Sequence, residues 1–184
     1  MSPFEPLVPG RLDAEAAALR DTILETRAKV VDAIGLVAPD GSLRGPFDPL
    51  LRTPVIGQVV QELGLVVRSG SDLGPTVCEA AILTIVHDWD CTFEWNAHST
   101  LAFDAGVLSE DDIARIAGGG RPTDRVPALA CEFAAQQIRY RGLDTATRAS
   151  VKQEFGERGM VELTILVAYY ELVCRLIRTC GAGA

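Results

Sequence analysis

One segment of the chain places three reactive side chains at helical spacing. Cys91, Glu94 and His98 are separated by three and four residues, and on an α-helix these offsets put all three on one face. Ala102 and Ala105 continue this face, so that no large side chain fills the space beyond the imidazole. A thiol, a carboxylate and an imidazole are costly to bury in an apolar hairpin. The spacing therefore predicts a functional site on one helix face.

The chemistry that these groups can perform is proton transfer. A carboxylate paired with an imidazole exchanges protons near neutral pH once burial and neighbours tune both groups. Glu79, on the preceding helix, can face this row and hydrogen-bond His98. Cys91 lies near the start of its helix, where backbone amides stabilise a thiolate. Spacing alone leaves a structural role open, because Glu–His pairs are common on helices and buried cysteines commonly act as small hydrophobic residues.

Aromatic residues near this segment are candidates for a substrate pocket. Trp89 and Trp95 can form the wall of a pocket for a planar molecule, and Tyr169 or Tyr170 on the last apolar helix can bring a hydroxyl to the site. Packing in the core is the alternative for each.

We expect no metal ion and no phosphate-binding loop. Glu79, Glu94 and His98 lack a further ligand for a divalent metal. The glycines 118–120 follow no strand and precede no Gly-Lys-Ser/Thr, so they indicate a linker.

The elements that must position these residues are helices. Period-two alternation is nowhere sustained, which indicates an all-α fold. Asp13, Thr53-Pro54, Pro75 and Ser109 are typical helix starts. The pattern predicts helices over 12–34, 53–67, 75–86, 91–105, 109–118, 125–140, 144–155 and 160–178, with a Pro/Gly-rich loop over 38–49.

Composition narrows the class of protein. The net charge is −8 and no basic stripe is present, which argues against a nucleic-acid partner. The most apolar run, 163–177, contains Glu171 and Arg175 and is too short to span a bilayer. The first residues lack the features of a secretory signal, and the five cysteines contain no CxxC pair, so we expect a cytoplasmic protein without a disulfide framework. The 48% hydrophobic content indicates either an unusually apolar core or a surface that other subunits cover in part.

The spacing Glu79-x11-Cys91-x2-Glu94-x3-His98 resembles the motif Glu-x11-Cys-x2-Cys-x3-His of the carboxymuconolactone decarboxylase / alkylhydroperoxidase D (AhpD-like) superfamily. The likeness covers residues 43–178, and 1–42 would add an N-terminal helix and the connector. Its other features are Gly45-Pro46-Phe47, the apolar segment 79–86, Trp89-Asp90, the segment 93–98, Ala105-Gly106, Leu108-Ser109 and the segment 161–170.

The resemblance implies a single domain over 1–184, built as an AhpD-like bundle of helical hairpins that assembles into a homo-oligomer, a trimer or a hexamer. The departure from the motif is informative. Glu94 replaces the second cysteine, so Cys91 has no resolving partner at that spacing and a disulfide-cycling peroxidase is disfavoured.

The resemblance to the decarboxylase branch implies a cofactor-independent lyase or isomerase that acts on a small organic acid or lactone. His98 would donate the proton, and Glu94 would orient His98 or share its proton. Glu79 would form an outer relay, and Cys91 would line the pocket or act as a weak acid. One alternative is a thiol peroxidase that uses Cys91 and an external reductant. A second alternative is a non-catalytic, oligomeric binding protein with the same fold.

Overall fold

A computed structural model describes residues 4–180 of the chain, and α-helices are their main secondary structure. In this range the only β-type pairing is an isolated bridge between Val37 and Leu43. A short 3₁₀ turn, Pro9–Arg11, comes first. The helices are α1 (Ala14–Thr26), α2 (Phe47–Leu50), α3 (Pro54–Ser69), α4 (Pro75–Asp88), α5 (Thr92–Asp104), α6 (Glu110–Ala117), α7 (Arg125–Tyr140) and α8 (Thr145–Cys180).

The main core forms around α4. Pro75 stands at the first helical position, and Gly74 enters the helix with φ of 79°, a conformation that glycine adopts without strain. From Ala80 to Val86 every residue of α4 is buried, because α5, α7 and α8 pack against it and α6 covers part of its surface. A helix that is apolar on all sides belongs in the interior of the domain.

The N-terminal segment builds a second, smaller hydrophobic cluster. Ile23 of α1 and Leu36, Leu43 and Leu51 of the following segments are buried together in it. Val60 of α3 packs against both clusters, so that α3 joins the N-terminal segment to the main core. The segment 1–42 lies outside the part of the chain whose sequence resembles the AhpD-like superfamily. From residue 4 onwards it packs against α2 and α3.

The predicted first helix, 12–34, was wrong in length. The helix begins after Asp13, whose side chain accepts a hydrogen bond from the Ala16 amide, but it ends at Thr26. The Thr26 hydroxyl donates to the carbonyls of Thr22 and Ile23, and such bonds compete with the helical pattern. Residues 27–35 continue as irregular turns, with Gly35 in the left-handed region.

One other prediction was wrong. The segment 38–49 contains the start of α2 and one partner of the isolated bridge, so it is not all loop. The predicted break between the last two helices is confirmed: α8 consists of two helical segments that meet at Gly156, whose φ of 69° and ψ of −174° are not helical. Because an L-residue rarely adopts this φ, the glycine marks the break that the sequence pattern indicated.

The other predicted helix starts agree with the structure. Ser109 and Asp112 form a reciprocal capping box at the start of α6, and Pro54 occupies the first turn of α3. None of the helices within residues 4–180 combines the length and the apolar character needed to cross a membrane.

Candidate functional site

His98 is the centre of a buried polar cluster. Its Nδ1 lies 2.8 Å from Glu79 Oε2, and its Nε2 lies 3.0 Å from the hydroxyl of Tyr170. Glu94 Oε2 lies 3.5 Å from the same Nε2, a longer contact. Glu94, His98 and Tyr170 are all buried in the protein. The structure therefore brings together three of the four predicted catalytic residues and adds one tyrosine.

Three helices position this cluster. Glu79 projects from the second turn of α4, and α5 supplies Glu94 and His98 from its buried face. The chain reverses between α4 and α5 at Asp90, whose φ of 52° lies in the left-handed region that aspartate tolerates better than most residues. Tyr170 comes from α8, where its ring meets the imidazole edge to face at 5.1 Å.

The electrostatics favour a protonated imidazole. Burial lowers the pKa of His98, but the charge and hydrogen bond of Glu79, aided by Glu94, outweigh this effect and raise the pKa to about 9. Both ring nitrogens then carry protons. Nδ1–H donates to Glu79, and Nε2–H donates to the Tyr170 oxygen, so the phenolic proton is free to point elsewhere.

Burial raises the pKa of Tyr170 well above its ordinary value of 10, so the phenol is neutral at physiological pH. Burial also raises the pKa of Tyr169 to about 12. Tyr169, one of the two tyrosines predicted as alternatives, packs edge to face against Tyr170, and both line the cavity described next. The hydroxyl that reaches His98, however, belongs to Tyr170.

A small cavity opens in front of His98. Its volume is about 60 Å³. Leu101 of α5 lines the cavity. The predicted continuation of the site face to Ala105 was wrong, because α5 ends at Asp104 and Ala105 is exposed. The lining includes apolar groups from the N-terminal segment (Val30, Ile34), α2 (Phe47), α5 (Phe93, Ala97) and α8 (Val173).

Two arginines that sequence reasoning missed also line this cavity: Arg27, at the end of α1, and Arg68, in the last turn of α3. Arg27 is only 6% exposed. A partial signal for Arg68 exists in the sequence, because Gly57, Gln61, Gly64 and Arg68 share one face of α3. Nothing in the local sequence distinguishes Arg27 from a surface residue.

Cys91 lies apart from the His98 cavity. It is the N-cap residue of α5, it is buried, and its side chain is hydrogen-bonded to Cys174 of α8. This bond lowers the pKa of the Cys91 thiol against the opposing effect of burial, whereas the pKa of Cys174 is raised. Cys91 borders a different cavity, which it shares with His87, Trp95 and others.

Neither predicted tryptophan is among the described residues that line the His98 cavity. Trp95 lies beside His87, with ring centroids 6.1 Å apart, and contributes to the cavity at Cys91. Trp89 lies under the guanidinium of Arg175, 4.7 Å from the ring centroid. The indole nitrogen of Trp89 is buried and has no hydrogen-bond partner in residues 4–180.

No group of three or more His, Cys, Asp and Glu side chains in the described part of the chain is arranged to hold a metal ion. No sequence profile of a known protein family matches the chain. No protein of curated function is similar enough to serve as a relative.

Proposed function

We propose that the protein is an acid–base enzyme, a lyase or isomerase that acts on a small organic acid or lactone without a resident cofactor. The observation that supports it best is the buried chain Glu79–His98–Tyr170, which meets a cavity large enough for a small ligand. Buried carboxylate, imidazole and phenol groups in hydrogen-bond contact are costly, and such clusters are typical of proton-transfer sites.

In this proposal the cluster supplies a proton to a carbanion. Loss of CO2 from a carboxylate leaves an electron pair on the neighbouring carbon, as an enolate. The Tyr170 hydroxyl protonates this carbon while Nε2–H of His98 returns a proton to the phenolic oxygen, and Glu79 stabilises the charge on the ring. Glu94 also faces the cavity and can remove a proton in an isomerisation. Glu79 Oε2 lies 2.8 Å from His98 Nδ1, whereas Glu94 Oε2 lies 3.5 Å from Nε2, so in this proposal Glu79 rather than Glu94 orients the imidazole.

The test uses a readout that does not require the natural substrate. Small carboxylic acids and lactones with an acidic C–H bond are incubated with the protein in D2O, and deuterium incorporation is followed by proton NMR. His98→Gln, which cannot become charged, and Tyr170→Phe should each reduce exchange at least 100-fold, in line with typical general-acid effects. Exchange that survives in both variants would refute the assignment.

A matched control is His87→Gln, which alters the other histidine of the chain at a position outside the His98 cavity. It should keep the exchange rate of the wild type. If no compound exchanges although several bind, a non-catalytic binding role is the better interpretation.

The thiol pair supports a second candidate, a thiol peroxidase. Cys91 lacks a CxxC partner in sequence, but Cys174 provides a second thiol in hydrogen-bond contact. The Cys91 thiolate would attack a hydroperoxide and release an alcohol. Cys174 would then attack the sulfenic acid to give a disulfide and water, and an external dithiol would reduce the disulfide.

Under this second proposal, Cys91→Ser should abolish peroxide consumption in a coupled dithiol assay. Cys131→Ser is the matched control, because Cys131 is also buried and burial raises its thiol pKa to about 11. A Cys91 that is inert to peroxide would contradict this candidate.

Self-association is also part of the proposal. The exposed face of α3 is apolar, which is unusual for a helix that faces solvent. Val55 is 75% exposed and Val59 is 63% exposed, and Ile56, Leu63 and Val66 continue the same surface. We name these five residues the α3 stripe. It is the surface on which a homo-oligomer, a trimer or a hexamer, would be built.

A further inference from the structure

The cavity in front of His98 contains more positive charge than its acid–base chemistry needs. Arg27 and Arg68 both line it. Arg27 is held in place by hydrogen bonds from Nη1 to Gln61 Oε1 (3.0 Å) and to the Thr26 hydroxyl (2.9 Å), and its guanidinium lies 4.5 Å from the centroid of the Phe47 ring. These contacts fix one guanidinium in a buried position.

Arg68 is anchored in a similar way. Its Nε donates to the carbonyl of Gly64 at 2.9 Å. Within residues 4–180 the Nη2 group of Arg27 and both Nη groups of Arg68 make no hydrogen bond to protein, and neither arginine forms an ion pair with a carboxylate. Donors that are oriented by one bond and otherwise unused are the arrangement that binds planar oxyanions.

The charges around the cavity do not balance. Burial, together with the nearby Arg68, lowers the pKa of Arg27 to about 10, whereas Tyr170 and Glu79 raise the pKa of Arg68, so both guanidiniums are charged at neutral pH. With His98 protonated, three positive groups face only two carboxylates, Glu79 and Glu94, and Glu79 is engaged by the imidazole. An anion that enters the cavity would remove this excess charge.

We propose that Arg27 and Arg68 bind the carboxylate group of the substrate and hold the rest of the molecule against Tyr170 and His98. This inference deepens the proposed function and rests on it for the reaction. A cavity needs a volume of about 10–15 Å³ to hold one water molecule. The cavity at His98, with about 60 Å³, therefore accommodates a compact acid of about four to six non-hydrogen atoms. The apolar lining by Phe47, Phe93 and Val173 suits a short hydrocarbon body.

The experiment measures binding and needs no turnover. Isothermal titration compares three probes: propionate, its neutral analogue propionamide, and inorganic phosphate. Propionate should bind, propionamide should bind at least tenfold more weakly, and Arg27→Met and Arg68→Met should each weaken propionate binding at least tenfold. Arg148→Met is the control, because Arg148 is exposed on α8 and lies outside the cavity, and it should bind propionate as the wild type does.

Each contrary outcome overturns the inference. Equal binding of propionate and propionamide would show that charge is not recognised, and unchanged binding in the methionine variants would exclude the two arginines. Phosphate binding that depends on the arginines and is tighter than propionate binding would refute a carboxylate site in favour of a phosphate site. If the methionine variants do not fold, Arg27→Lys and Arg68→Lys replace them: weaker propionate binding in these variants supports the inference, and unchanged binding overturns it.

The inference and the proposed function fail separately. If propionate binding depends on the arginines but no acid or lactone exchanges deuterium, the binding site stands and the acid–base enzyme does not. If exchange occurs at the same rate and with the same substrate dependence in Arg27→Lys and Arg68→Lys, the enzyme stands and the carboxylate site does not.

Discussion

The position of Glu79 and Tyr170 on opposite edges of one imidazole determines what His98 can do. Nδ1 faces a carboxylate and Nε2 faces a phenol, so the ring is fixed in orientation at both nitrogens. A histidine held in this way loses little freedom when it transfers a proton, which is the advantage of a preorganised acid.

The raised pKa of His98 predicts a pH dependence of stability. Because the pKa is about 9 in the folded protein and 6.5 in the unfolded chain, the folded state binds the proton more tightly. This stabilisation is complete below pH 6.5 and is lost as the pH rises through 9. Its size is of the order of 3 kcal/mol. Urea unfolding at several pH values should show a decrease of this order in the wild type.

The comparison for this measurement is His98→Gln, which has no titrating ring. The difference in unfolding free energy between the wild type and this variant should fall between pH 6.5 and 9. A difference that is constant with pH would contradict the charged imidazole.

At the scale of elements, one glycine determines how closely the segment before α2 approaches α5. Gly45 has φ of 64°, and a Cβ at this position would overlap the ring of Phe93, which lines the cavity. Gly45→Ala should therefore destabilise the protein by about 1–3 kcal/mol, through backbone strain and overpacking. It should also weaken ligand binding. Thermal unfolding measures the first effect and titration with propionate the second.

Gly142→Ala provides the matched control. A Cβ at Gly142 meets no atom within 4 Å, and its φ is not in the left-handed region, so this substitution should leave both measurements unchanged. Equal stability of the two variants would show that the approach of Phe93 to the segment before α2 is not tight.

The sequence predicted most elements because local signals were strong. The helical pattern predicted α7 with the bounds that the structure shows, and Asp13 and Ser109 predicted the starts of α1 and α6. The end of α1 could not be predicted, because the competing hydroxyl bonds of Thr26 and the burial of Arg27 depend on the folded backbone and on α2 and α3.

The candidate site was predictable where it follows α5 and the helix before it, from which Glu79 was expected to reach His98. Glu94 and His98 share a face of α5, which spacing alone reveals. Tyr170 could not be separated from Tyr169, since adjacent residues on a helix differ in direction and only tertiary packing decides which one meets His98. Arg27 and Arg68 come from distant segments, so no local pattern joins them to the imidazole.

At the scale of the whole molecule, α3 has an inverted pattern. Its buried residues are Gly57, Gln61, Gly64 and Val67, while the five larger apolar residues of the α3 stripe face outward. Sequence pattern alone would have placed that apolar face in the core. The small and polar residues are buried because Gln61 binds Arg27 and because Gly64 leaves room for the Tyr169 hydroxyl.

This inversion predicts the oligomeric state. If copies of the chain associate through the α3 stripe, Val59→Glu should shift the sedimentation coefficient of the protein to that of a monomer, because a charge in an apolar interface is costly. Tyr140→Glu is the control, since Tyr140 is 77% exposed and belongs to α7. A wild-type protein that already sediments as a monomer would contradict this prediction.

The cavity has walls from two separately packed clusters. Val30 and Arg27 belong to the N-terminal segment, and His98 and Tyr170 belong to the main core. A molecule seated between them must touch both, so its binding energy adds to the cohesion of the two halves. Occupancy would add to the coupling that α3 already provides, and it would slow amide hydrogen exchange in the N-terminal segment and in α8 together.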